Sequence, residues 1–111
     1  MVDSDKLRVS ITRDAGAIVV TFVGDLDVFV ADEARTHLDE AINRAVAHSV
    51  AQVLIDARRL GFCDSTGLSV FVKAHDSAEQ RGVHLTMQHV SEPFRELLRL
   101  TGLNPFRGRE A

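Results

Sequence analysis

The chain has 111 residues, 45% of them hydrophobic, a net charge of -3, and neither Trp nor Tyr. That length suits one domain, residues 1–111, able to bury a core without disulfides or metals. Mild acidity gives no general attraction for phosphate backbones, and the missing Trp and Tyr remove the usual stacking platforms for nucleic acid.

Residues 7–13 alternate, with Leu7, Val9 and Ile11 on one side and Arg8, Ser10 and Thr12 on the other. This predicts a half-buried strand. Asp14-Ala15-Gly16 marks a turn, and residues 17–23 run nearly all apolar and β-branched. They suit a central strand covered on both faces, joined to the first as an antiparallel hairpin. Gly24-Asp25-Leu26-Asp27 is expected to break that strand. Ala31, Ala34, Leu38, Ala41, Ile42 and Ala45 then recur at helical spacing, predicting a helix of about 17 residues, roughly 25 Å long.

Residues 51–55 read as a third strand ending at Asp56, and 57–64 as a loop. A second helix is expected over about 65–80, with Leu68, Phe71, Val72, Ala74 and Ala78 inward and Arg81-Gly82 as its stop. Val83, Leu85 and Met87 alternate with His84, Thr86 and Gln88 as a fourth strand. Ser91 is placed to cap a third helix carrying Phe94, Leu97 and Leu98 inward, with Pro93 in its first turn. Thr101-Gly102 should end it, and 103–111 is short and polar.

The predicted order is ββαβαβα, a mixed α/β sheet packed with helices. Right-handed crossovers make the last three strands parallel and the first antiparallel. Parallel strands place their C-terminal ends along one edge, where sites in open α/β sheets gather. Gly24, Asp25 and Asp27 therefore meet Asp64, Ser65, Thr66 and Gly67 at one edge.

Asp64 or Ser65 can cap the second helix. Gly67 costs helix propensity, about 1 kcal/mol against Ala, and lets another surface approach the backbone. A hydroxyl displayed here would accept a phosphate of about -1.5 to -2 charge at a helix N-terminus, which tolerates anions. Asp64, Asp25 and Asp27 would oppose it, and neither effect demands refolding.

The element order, Gly-Asp-Leu-Asp after the second strand, and Asp64-Ser65-Thr66-Gly67-Leu68 after a strand ending Leu-Ile-Asp together resemble the STAS domain of bacterial anti-sigma factor antagonists. The resemblance covers about residues 5–106. It implies a sheet of four to five strands, and phosphorylation of Ser65, or alternatively Thr66, by an anti-sigma factor that is also a serine kinase. It implies that the unphosphorylated chain binds that factor and frees the sigma factor, and that a serine phosphatase reverses the modification. Gly24, Asp25, Asp27, Asp64, Ser65, Thr66, Gly67 and Leu68 would form the partner surface. The family usually adds a last strand and a C-terminal helix, which here would be short or absent. Cys63 stands where bulkier apolar residues are common.

Other readings compete. Asp25 and Asp27 could pair for acid–base work, but turn roles suit them better. The histidines at 37, 48, 75, 84 and 89 lack metal-ligand spacing, so neither metal nor cofactor is expected. Cys63 has no adjacent cation to lower its pKa and reads as a small hydrophobe rather than a reactive thiol. Ser65 lacks the Gly-x-Ser-x-Gly elbow of a hydrolase, and no phosphate loop of the Gly-x-x-x-x-Gly-Lys type occurs, so no enzymatic activity is expected. Phe62, Leu68 and Val70 could be core or contact. A single cysteine, no signal-peptide pattern and no apolar run near 20 residues predict a soluble, cytoplasmic protein without membrane insertion. A stressosome-type scaffold and an accessory STAS subunit of a lipid transporter are the alternatives within the resemblance.

Overall fold

The computed structural model describes residues 7–100. Strand β1 (Arg8–Asp14) and strand β2 (Ala17–Leu26) form the antiparallel hairpin, with Asp14 paired to Ala17 across a two-residue turn. Helix α1 (Ala31–Ala47), strand β3 (Gln52–Cys63), helix α2 (Ser65–Gln80), strand β4 (His84–Gln88) and helix α3 (Glu92–Leu100) follow. The four described strands lie in the order β1-β2-β3-β4, with β2, β3 and β4 parallel. The expected topology is therefore the one observed. The expected helix stop at Thr101-Gly102, the tail and any further C-terminal helix fall outside the described residues.

One face of the sheet makes the core. Ile18, Val20 and Phe22 of β2, Val53, Ile55 and Ala57 of β3, and Leu85 and Met87 of β4 are buried there. Helix α1 adds Ala34, Leu38, Ala41, Ile42 and Ala45, the stripe its 3.6-residue period predicts. Phe22, Phe71 and Phe94 link β2, α2 and α3 edge to face, with ring centres 5.3 and 6.1 Å apart. The other face of β2 is only half covered: Val19, Thr21 and Val23 are partly exposed. The expectation of a strand covered on both faces is corrected accordingly. Its β-branched residues reflect strand propensity there more than burial.

Two boundaries also differ from expectation. Strand β2 continues through Gly24 to Leu26, and β3 runs to Cys63 instead of ending at Asp56. The ladder bulges twice: Thr21 to Val23 is matched by Asp56 to Arg59, and Gly24 to Leu26 by Leu60 to Cys63. Each step places three residues of β3's advance opposite two of β2's, which breaks the period-two alternation by which a strand is read. Gly24, at φ 111°, takes the backbone conformation open to a residue without Cβ. Ser91 caps α3 as expected, its Oγ accepting from the Phe94 N–H at 3.3 Å.

Candidate functional site

The prolonged β2 and β3 project past the end of β4, whose pairing with β3 stops at Asp56 and Gln88. Their tips carry the residues singled out in the sequence. The Asp25 carboxylate accepts a hydrogen bond from the Phe62 N–H at 2.8 Å, fastening the end of β2 to that of β3. A Cβ at Gly61 would lie 2.5 Å from that carboxylate oxygen, so the brace needs glycine opposite it. Asp25 is thus a strand brace, where sequence reasoning favoured a turn residue. Asp27 does hold a turn: its Oδ1 accepts from the Phe29 N–H at 3.0 Å and its carbonyl from the Val30 N–H at 3.1 Å.

Asp64 begins the second half of the site. Its N–H donates to the Leu26 carbonyl at 3.2 Å, and its side chain accepts from the Gly67 N–H at 2.9 Å. Of the two capping candidates, Asp64 is the N-cap, and α2 starts at Ser65. A Cβ on Gly67 would stand 2.7 Å from both Leu26 Cγ and the Leu26 carbonyl oxygen. The surface that requires glycine at 67 is therefore the chain's own strand β2, seated against the first turn of α2.

That seating sorts the motif by exposure. Ser65 and Thr66 are exposed, whereas Gly67 and Leu68 are buried. Ser65 takes no part in the cap and makes no side-chain hydrogen bond among the described residues. Gly67 and Leu68 position the turn from beneath; Ser65 and Thr66 present its outer surface. Val70 is core.

Cys63 is half-buried, and its thiol is pushed up to about 12 by burial first and then by the Asp64 carboxylate. Both effects favour its neutral thiol form. The residues that sequence reasoning missed are Val28 and Phe29. Phe29 is 89% exposed and Val28, beside it in the same turn, 57%; Phe62, near the end of β3, is 63% exposed. The Asp27 turn leaves Val28 and Phe29 facing outward. A phenylalanine directly before a helix is equally a core residue in sequence, so only exposure reveals it. Elsewhere His75 and His84 both approach Glu79, at 3.6 and 3.8 Å. Among the described residues no group of three or more His, Cys, Asp or Glu could hold a metal ion, and no helix is long and apolar enough to cross a membrane.

Comparison with known proteins bears on the family and the fold. The family model for the STAS domain matches residues 8–107. The anti-sigma F factor antagonist of Paenibacillus polymyxa is 29% identical over 97 residues, covering 87% of this chain and 80% of its own. The anti-sigma-B factor antagonist of Listeria monocytogenes is 30% identical over 92 residues, covering 83% and 77%. Among solved structures, an anti-sigma factor antagonist from Mycobacterium paratuberculosis shares the fold with a TM-score of 0.68 at 24% identity, covering 90% of this chain and 81% of its own. The anti-sigma factor antagonist SpoIIAA does so in its unphosphorylated form (TM-score 0.66, 18% identity, covering 84% and 83%). The phosphorylated form of the Bacillus protein SpoIIAA matches as well (0.68, 20% identity, covering 89% and 87%).

Proposed function

The chain belongs to the STAS domain family, and from that premise we propose that it is an anti-sigma factor antagonist switched by phosphorylation of Ser65. Unphosphorylated, it binds an anti-sigma factor that is also a serine kinase, and the sigma factor is set free. Ser65 Oγ then attacks the γ-phosphorus of ATP held by the kinase. The new O–P bond forms as the bond to the ADP oxygen breaks, and the hydroxyl proton passes to a base of the kinase. A serine phosphatase hydrolyses the phosphoserine and restores binding.

One observation carries the reading. Ser65 is an exposed hydroxyl at the start of α2, left free because Asp64 does the capping. It shares a sheet edge with Asp27 and the exposed Val28, Phe29 and Phe62. Partner contact is assigned to these residues together with Thr66, while Gly24, Asp25, Asp64, Gly67 and Leu68 shape the surface from within. A phosphate at Ser65 would add about -1.5 to -2 charge beside the Asp64 carboxylate. The N-terminal N–H groups of α2 tolerate it, so the helix stays intact and the effect falls on the partner. That both forms of SpoIIAA share this fold fits a block at the surface rather than refolding.

The test uses the anti-sigma serine kinases of the source organism, each incubated with this chain and ATP. Intact mass and site mapping should find one phosphate, on Ser65; label confined to Thr66 would overturn the assignment and favour a scaffold role. Ser65→Ala should keep partner affinity, and Ser65→Glu should lose about tenfold or more, by charge placed in an interface. Equal affinities for the two variants would sink the electrostatic switch.

A further inference from the structure

A groove of about 120 Å³ opens between the N-terminal turns of α1 and α2, one residue from the switch serine. Ala31 and Val70 form its apolar floor, each 7% exposed. Asp32 and Arg35 of α1 stand on one wall, Thr66 and Lys73 of α2 on the other. Thr66 and Lys73 are two turns apart and so share one helix face.

The groove is locally cationic in an acidic chain. Lys73 makes no ion pair among the described residues. Arg35 reaches Asp32 at 3.2 Å, but both side chains are mostly exposed, at 55% and 92%. Such a pair holds weakly and exchanges readily for a better one. Helix α1 starts at Ala31, and its N-cap residue Val30 offers no side-chain cap, so among the described residues no side chain caps the first-turn N–H groups beside Ala31. Two cations from different helices, an uncapped helix start and a small apolar floor converge on one space.

We infer that this groove receives a carboxylate side chain of the anti-sigma partner, with Lys73 and Arg35 as the pairing groups. The inference rests on the reading of Ser65 as the switch. An Asp or Glu side chain fits the chemistry: its methylene carbons lie on Ala31 and Val70, and its single charge meets Lys73 and Arg35. Asp32 at the rim opposes a dianionic phosphate more strongly than a monoanionic carboxylate. The position also explains how the switch reaches the contact. A phosphate on Ser65, adjacent to Thr66, lowers the positive potential of the groove that the partner's carboxylate depends on.

The experiment measures affinity for the anti-sigma factor identified with wild-type chain, at two salt concentrations. Lys73→Glu and Arg35→Glu should each weaken binding about tenfold or more and flatten its salt dependence, with Lys73→Gln between. Arg81→Glu, at the far end of α2, should stay within about twofold. An acidic partner residue changed to Lys should restore binding to Lys73→Glu. Circular dichroism of each variant confirms that the fold is kept. Wild-type affinity in both groove variants, with Ser65→Glu still impaired, would place the groove outside the interface and leave the switch standing. Equal losses in Lys73→Glu and Arg81→Glu would show a general field and overturn the groove. Unimpaired binding by Ser65→Glu would overturn the reading on which the inference rests.

Discussion

Cys63 and Ser65 lie two positions apart and behave oppositely. Ser65 is exposed and uncommitted, whereas burial and the adjacent carboxylate keep the Cys63 thiol protonated, with a pKa of about 12. At pH 8 the thiolate is then scarce, and the thiolate is the nucleophile. Iodoacetamide should therefore label the folded chain at least about tenfold more slowly than the chain in denaturant, a difference read by mass spectrometry. The rate in the folded state should climb only as pH passes well above 9. The same shift affects stability. As pH rises from 9 towards 12 the unfolded chain gives up its thiol proton while the folded chain keeps it, so this group's contribution to stability falls across that window. Equal labelling of folded and unfolded chain at pH 8 would contradict this placement of the thiol.

At the scale of elements, the start of α2 is held by three independent contacts: the Asp64 cap, the Asp64 N–H on the Leu26 carbonyl, and Gly67 against Leu26. Asp64→Ala removes the cap and should cost about 1 kcal/mol in denaturant unfolding, the usual loss for such a change. Gly67→Ala should cost more, although alanine is the better helix former. Its methyl group meets a backbone carbonyl that cannot yield without moving β2. A Gly67→Ala variant as stable as wild type would show that the strand and the helix are not tightly seated. The cap was legible in sequence because an Asp directly before a helical pattern is a local signal. The seat was half legible: a glycine in a first turn announced a close approach, but not by what.

For the molecule as a whole, two phenylalanines test the division between core and contact. Phe71 is fully buried and joins Phe22 and Phe94 across β2, α2 and α3. Phe29, 89% exposed, touches little. Phe71→Ala should cost about 3–5 kcal/mol of stability, through lost burial and the cavity left behind. Phe29→Ala should leave stability within about 0.5 kcal/mol, as exposed substitutions do. Its effect should appear in partner affinity, where protruding aromatic side chains act as anchors. Urea unfolding and binding measured on the same two variants separate the roles. A Phe29→Ala variant that binds as well as wild type would remove this loop from the interface.

Local chemistry carried the element order, the hairpin, the stripe on α1, the cap on α3 and the Asp-Ser-Thr-Gly-Leu motif, because periodicity, turn residues and caps are written in neighbouring positions. The long ends of β2 and β3 were not legible. Their bulges break the alternation, and the polar residues there read as loop until a partner strand supplies the ladder. The same holds for Asp25, whose partner Phe62 is 37 positions away. It holds for Phe29, which is core or surface only according to what packs around it. Local sequence thus determined which elements form and that Ser65 stands at the start of α2. Tertiary structure decided which strands extend, which glycine is a seat, and which side chains face outward, because those depend on contacts between residues far apart in the chain.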